Sequence, residues 1–90
     1  MTVLDELMNA RKANASKTVI GAKQVRRAIA DNASAVSKVF VATDADVFVT
    51  KPVFDACSAA DIQVIEVPSM KELGAACGMT VGAAAVLVKR

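Results

Sequence analysis

Thr18-Val19-Ile20-Gly21-Ala22-Lys23-Gln24-Val25-Arg26-Arg27 is the stretch on which the reading of the fold turns. A short apolar strand runs into a glycine, and a helix then opens with three cations in its first turns. Glycine lets backbone come close to a partner, and a helix N-terminus presents N–H groups that have no intrahelical acceptor. At about 100° per residue, Lys23, Arg26 and Arg27 share one face of that helix, with Gln24 at its edge. Val25, Ala28 and Ile29 take the opposite face and can pack inward. Cations added to the positive end of a helix dipole suit a negatively charged partner, phosphate or nucleic acid above all.

Outward from this stretch, strand and helix signals alternate. Thr2 with Asp5 resembles a capping box, and Val3, Leu4, Leu7 and Met8 recur at helical spacing, which predicts a helix over residues 3–14. Lys17 to Ile20 reads as the first strand and residues 22–31 as the basic helix. Val39-Phe40-Val41-Ala42 is apolar on both faces, as a central strand covered on both sides must be, and Asp44-Ala45-Asp46 ends it. Thr50 can cap a further helix running to Ala60, with Pro52 tolerated in its first turn. Ile62 to Val67 reads as a strand. Ser69 with Glu72 makes a second capping box, opening a helix that Gly78 stops from the C′ position. Met79 to Gly82 is a loop, and Ala83 to Val88 the last strand. The alternation predicts one domain, residues 1–90, built as an α/β fold: a three-layer α/β/α sandwich around a four-stranded mixed sheet.

Composition narrows the chemistry. Ninety residues bury a modest core, and a 54% hydrophobic content rich in Ala and Val implies tight packing of small side chains. No apolar run approaches the roughly 18 residues that span a bilayer, so the reading is a cytoplasmic protein with no membrane partner. There is no histidine, and Cys57 and Cys77 lie far apart in Ala-rich helical contexts. The usual zinc sets, Cys–His pairs and histidine acid–base chemistry are thereby removed. With no paired nucleophile–base set or metal-ligand cluster in the sequence, the expectation is a protein without cofactor, metal or enzymatic activity. An enzyme, or the substrate-recognition domain of an RNA-modifying enzyme, is the least favoured reading. Both cysteines read as small buried hydrophobes. A net charge of +2 says little, but Arg11, Lys12, Lys17, Lys23, Arg26 and Arg27 crowd the first third while acids gather from Asp31 to Asp61, which implies one basic surface.

Two further segments hold candidate chemistry. Asp44 and Asp46 could suggest metal or acid–base work, but two acids at a strand end more often cap the next turn. The loop Met79-Thr80-Val81, bounded by Gly78 and Gly82, offers a soft apolar surface, which on its own reads as core-edge packing slightly more often than as a contact surface. The chain has three aromatic residues, all Phe, and so lacks the exposed rings of sequence-tolerant single-strand binders and of RNP-type sheets. An RNA partner would then be a shaped, structured RNA read through polar side chains and backbone.

Ile20 to Arg27, Val41 to Asp46, and Leu73 to Ala85 together resemble the kink-turn RNA-binding ribosomal protein family, the L-seven-Ae family, and most of all its small bacterial members. The resemblance covers nearly the whole chain. It implies a non-enzymatic α/β/α domain that binds a kinked RNA stem beside tandem sheared G·A pairs. It further implies that Lys23 donates to guanine O6 or N7, that the Gln24 oxygen accepts from a guanine edge, and that Arg27 holds phosphate or base edges. Gly21 and Ala22 would permit close backbone approach. Met79, Thr80 and Val81 would pack against a flipped-out nucleotide, with Asp46 near it. The chain departs from the family pattern at Lys23-Gln24, where Asn-Glu is commoner, at Val47, where proline is common, and at Ala30 to Ser34, which adds length and the negative charge of Asp31. The resemblance implies a structured RNA partner, ribosomal or messenger, and nothing in the sequence demands more than a monomer. The alternative is a protein-interaction module of the same fold, for which the Ala/Val content could supply an apolar dimer surface.

Overall fold

The computed structural model describes residues 18–78 and 80–89. The helix expected over 3–14 lies outside them, as do Lys17 and Met79. In chain order the elements are β1 (Thr18–Ile20), α1 (Ala22–Asn32), a 3-10 turn (Ala33–Ala35), β2 (Val36–Ala42), α2 (Val47–Ala59), β3 (Val64–Val67), α3 (Met70–Ala76) and β4 (Ala85–Lys89). The sheet order is β1-β4-β2-β3; β4 is antiparallel to β1 and β2, and β2 is parallel to β3. The sheet is mixed, as the alternation predicts.

Successive side chains of a strand point to opposite faces, and both faces of the central strands are covered. Val39, Val41, Ala85 and Leu87 pack with Val25 and Ile29 of α1 and Val53 and Cys57 of α2. Phe40, Ala42, Val86 and Val88 pack with Leu73, Ala76 and Cys77 at α3. Three layers result: α1 and α2, the sheet, then α3. Phe40, Leu73 and Leu87 are the largest fully buried side chains, so the core is filled mainly by Val, Ala and Cys.

Several element bounds differ from the sequence reading, each for a local reason. β2 starts at Val36, three residues before the apolar run, because Val36 and Lys38 pair with Lys89 and Val88 across a register shift. β3 starts at Val64, not Ile62: the Ile62 N–H returns to the Cys57 carbonyl at 2.9 Å, and Asp61 turns the chain at φ +56°. β4 starts at Ala85, since the Ala83 N–H is bonded to the Met70 carbonyl at 3.0 Å.

The larger correction concerns α2, which Thr50 does not cap. The helix begins at Val47, and Asp46 is its N-cap, with Oδ1 accepting from the Phe48 N–H at 2.9 Å. Thr50 is buried one turn inside, its hydroxyl 3.5 Å from the Asp46 carbonyl. Pro52 accordingly lies past the first turn, where its missing N–H leaves the Phe48 carbonyl without its i+4 donor. The Asp46 N-cap favours the helix start at Val47 in spite of the poor helix propensity of Val47, Phe48 and Val49.

α3 follows its sequence signals. Ser69 Oγ accepts from the Lys71 and Glu72 N–H groups at 3.1 and 3.3 Å, and Gly78 leaves the helix at φ +73°. Gly74, within this short helix, permits a close approach: a Cβ there would collide with the Val81 carbonyl oxygen and stand 3.1 Å from Gly82 Cα. The loop after α3 therefore lies directly on the helix, and both obstacles are backbone. Gly74→Ala should cost about 1–3 kcal/mol, an overpacking penalty. A thermal melt should show it as a Tm lower by roughly 4 °C or more, at about 4–8 °C per kcal/mol for a domain of this size.

Candidate nucleic-acid interface

β1, β2 and β3 end where β4 begins, because β4 runs antiparallel to β1 and β2. The junctions are fixed by the Gly21 N–H to the Ala85 carbonyl (2.9 Å), the Ala42 N–H to the Ala84 carbonyl (2.9 Å) and the Thr43 N–H to the Val67 carbonyl (2.7 Å). All three described helices thus open at one end of the sheet, alongside the loop that precedes β4.

The three helix openings are chemically unequal. α2 is capped by Asp46 and α3 by Ser69, and Asp44 Oδ1 also accepts from the Met70 N–H at 2.8 Å. α1 opens at Gly21 with no side-chain cap and no acidic residue in its first turn. An N-terminus of this kind holds N–H groups free for an outside acceptor, and the dipole favours negative charge there. Lys23, Gln24, Arg26 and Arg27 are exposed on that opening, whereas Val25 and Ile29 are buried and Ala22 is half-buried.

Gly21 has φ +104° and ψ +139°, backbone that side-chain-bearing residues rarely adopt. A Cβ there would stand 2.5 Å from Gln24 Oε1, so Gln24 curls back over the glycine. The one glycine position thus makes the β1–α1 turn and leaves the helix uncapped.

Strand order places the sequence-derived residues side by side. Gly21 to Arg27 follow β1, Thr80 and Val81 precede β4, and Asp46 follows β2, which are neighbours in the order β1-β4-β2. Val81 is 64% exposed and Thr80 is exposed, so the loop does offer an apolar surface; Met79 is outside the described residues. Asp44 and Asp46 are both engaged as helix caps, the plainer of their two readings. Asp31 sits in the last turn of α1, roughly 14 Å along the helix from Ala22 at 1.5 Å per residue, so its charge lies away from the α1 opening.

Among the described residues, no group of three or more His, Cys, Asp or Glu side chains could hold a metal ion. Nor is any described helix long and apolar enough to cross a membrane. Cys57 and Cys77 are buried, and burial pushes the Cys57 thiol up, away from the thiolate that nucleophilic chemistry needs. One residue at this end escapes the sequence reading: Phe48 is 86% exposed in the first turn of α2, flanked by Val47 and Val49 at 62% and 43%. The signal for it was three consecutive apolar residues on a helix, which cannot all face one core.

Fold and site together define a small α/β/α domain that offers an uncapped, basic helix end beside an apolar loop. Residues 1–90 match the ribosomal protein L7Ae/L30e/S12e/Gadd45 family, and the chain belongs to it. It is 46% identical over 76 residues to an RNA-binding protein of Geobacillus kaustophilus, covering 84% of this chain and 90% of that one. It is 41% identical over 68 residues to an RNA-binding protein of Caldanaerobacter subterraneus subsp. tengcongensis, covering 76% and 80%. A Bacillus halodurans protein of unknown function superposes with a TM-score of 0.82 at 28% identity, over 97% of this chain and 83% of the other. The Giardia lamblia 15.5kD RNA binding protein shares the fold, with a TM-score of 0.84 at 20% identity, over 98% and 71%.

The capping role of Asp46 yields a direct test. Asp46→Ala should destabilise the protein by about 1 kcal/mol, while Asp46→Asn, an equally good N-cap, should keep nearly all of the stability. Chemical denaturation of the two variants beside the unsubstituted protein measures both.

Proposed function

We propose that this protein binds structured RNA at the α1 opening and recognises a kinked stem beside tandem sheared G·A pairs. The observation that carries the reading is the uncapped start of α1, with Lys23, Gln24 and Arg27 exposed around Gly21. Family membership and the relatives that are RNA-binding proteins support the RNA partner. In this reading the protein is a cytoplasmic, monomeric, non-enzymatic domain that shifts RNA toward the bent state by binding that state more tightly.

Each residue has a stated part. The Lys23 ammonium donates to guanine O6 or N7 in the opened major groove, a pairing that favours guanine over the other bases. Gln24 swings off Gly21 so that its Oε1 accepts from a guanine edge. The Arg27 guanidinium holds phosphate or a base edge, which its planar fork suits. Gly21 and Ala22 bring RNA close to the free N–H groups of α1. Thr80 and Val81, with Met79, lie against a flipped-out nucleotide, and Asp46 stands beside it while capping α2.

The test is titration of the protein into a labelled kink-turn stem and into a control whose G·A pairs are replaced by Watson–Crick pairs. Tight binding to the first and weak, salt-sensitive binding to the second is the expected result; equal weak binding to both would leave only generic electrostatics. With each base contact worth about 1–3 kcal/mol, Lys23→Ala with Arg27→Ala should weaken kink-turn binding by roughly 30-fold or more and flatten its salt dependence. Unchanged affinity in this double variant would sink the site assignment.

A further inference from the structure

Phe48 is the most exposed of the large hydrophobic side chains among the described residues, and nothing in the fold uses it. The inner side of α2 is served by Thr50, Val53 and Cys57. Val47, Phe48 and Val49 are poorer helix formers than Lys or Glu, so they weaken the helix start without gaining burial. The turn that carries them is nevertheless well fixed: the Phe48 N–H is bonded to Asp46 Oδ1, and the Val49 and Thr50 N–H groups to the Asp46 carbonyl at 2.9 and 3.1 Å. The ring is therefore displayed from a rigid position.

Its surroundings indicate what it is displayed to. α1 and α2 pack side by side on one face of the sheet and open at the same end. Packed helices lie about 8–10 Å apart, axis to axis, and Phe48 in the first turn of α2 is exposed at the same end of the sheet as Lys23, Arg26 and Arg27 of α1. Asp46 accepts from the Phe48 N–H at the opening of α2, and Asp44 from the Met70 N–H at the opening of α3 on the other face of the sheet, so both carboxylates face positive dipole ends. A cationic helix end beside a flat apolar ring matches a ligand with an anionic backbone and flat apolar faces, which describes unpaired nucleotides. A second copy of this chain fits poorly. A two-fold contact would set like cations against like, and these side chains fall well short of the roughly 800 Å² per partner of a stable interface.

We propose that Phe48 is a stacking platform for an unpaired base of the bound RNA. The inference rests on the RNA-binding reading above. It adds a contact on the α2 side of the Thr80–Val81 loop, and it assigns an aromatic role where the sequence reading expected no exposed ring to take part.

The test uses kink-turn stems in which 2-aminopurine replaces each unpaired base in turn, with the intact protein and its Phe48→Ala, Phe48→Leu and Phe48→Tyr variants. Phe48→Ala and Phe48→Leu should each bind about tenfold more weakly and lose the fluorescence change of one 2-aminopurine position, while Phe48→Tyr keeps both within about twofold. Making that same position abasic should erase the difference between the intact protein and Phe48→Ala. Wild-type affinity in Phe48→Ala, or in the ringless Phe48→Leu, would overturn the proposal. So would a concentration-dependent mass abolished by Phe48→Ala with RNA affinity unchanged, which would assign the patch to protein contact. A stem that keeps the unpaired bases but has Watson–Crick pairs in place of G·A separates the two readings. A Phe48→Ala loss on both stems, without kink preference in the intact protein, retires the kink and keeps the stacking residue. Kink preference with no Phe48→Ala effect does the reverse.

Discussion

The insertion of β4 between β1 and β2 is the pairing on which the rest of the structure depends. Because β4 runs against both neighbours, it starts where β1, β2 and β3 finish, and the loop before it arrives beside three helix openings. The Gly21–Ala85 and Ala42–Ala84 hydrogen bonds then hold the start of α1 and the end of β2 to one short run of small residues. Ala83, Ala84 and Ala85 keep that junction thin. Larger side chains here would push the helix openings apart and break up the continuous surface they form.

Electrostatics follows from the same arrangement. Three aligned helix dipoles place their positive ends together, which would attract anions without discrimination if all were open. Asp44, Asp46 and Ser69 satisfy two of them, leaving the Gly21 opening as the site where free N–H groups and mobile cations coincide. The acids of this chain thereby sharpen its basic site: by closing neighbouring openings they confine the attraction to one.

Much of this was legible in the sequence because the signals were local. Val39 to Ala42 read as a strand buried on both faces, and it is; Ser69 with Glu72 read as a helix start, and Gly78 as its stop. Helical arithmetic alone put Lys23, Arg26 and Arg27 on the outside and Val25 and Ile29 on the inside. The start of α2 was hidden because Val47, Phe48 and Val49 carry strand-like propensity, and Thr50 beside Pro52 offers a rival cap. The beginning of β2 was hidden by Ser37 and Lys38: Lys38 pairs with Val88 because β4 reaches past the apolar run, and Ser37 lies at the register shift between the Val36 and Lys38 pairs. The site as a whole needed strand order: no local rule says that residues 21–27, 46 and 80–81 share one end. Phe48 escaped for a different reason. Reading the helix from Thr50 leaves Phe48 before its start; once Val47, Phe48 and Val49 are placed on α2, three consecutive apolar residues cannot all face the core that Thr50, Val53 and Cys57 serve.

The closeness of Gly74 to the loop has a thermodynamic consequence. Thr80 and Val81 are bracketed by Gly78, which leaves α3 by a hydrogen-bonded turn, and by Ala83, whose N–H is bonded to the Met70 carbonyl, with Gly74 leaving space for the Val81 carbonyl between. The backbone freedom of Val81 to Ala83 is therefore reduced when the chain folds, and less of it remains to be lost on contact with a partner. A ligand meeting Val81 would encounter an exposed side chain on backbone held against α3. Calorimetry would then record a smaller entropic penalty than a free loop of the same length incurs, and the heat-capacity change would report apolar burial alone, without a contribution from local folding.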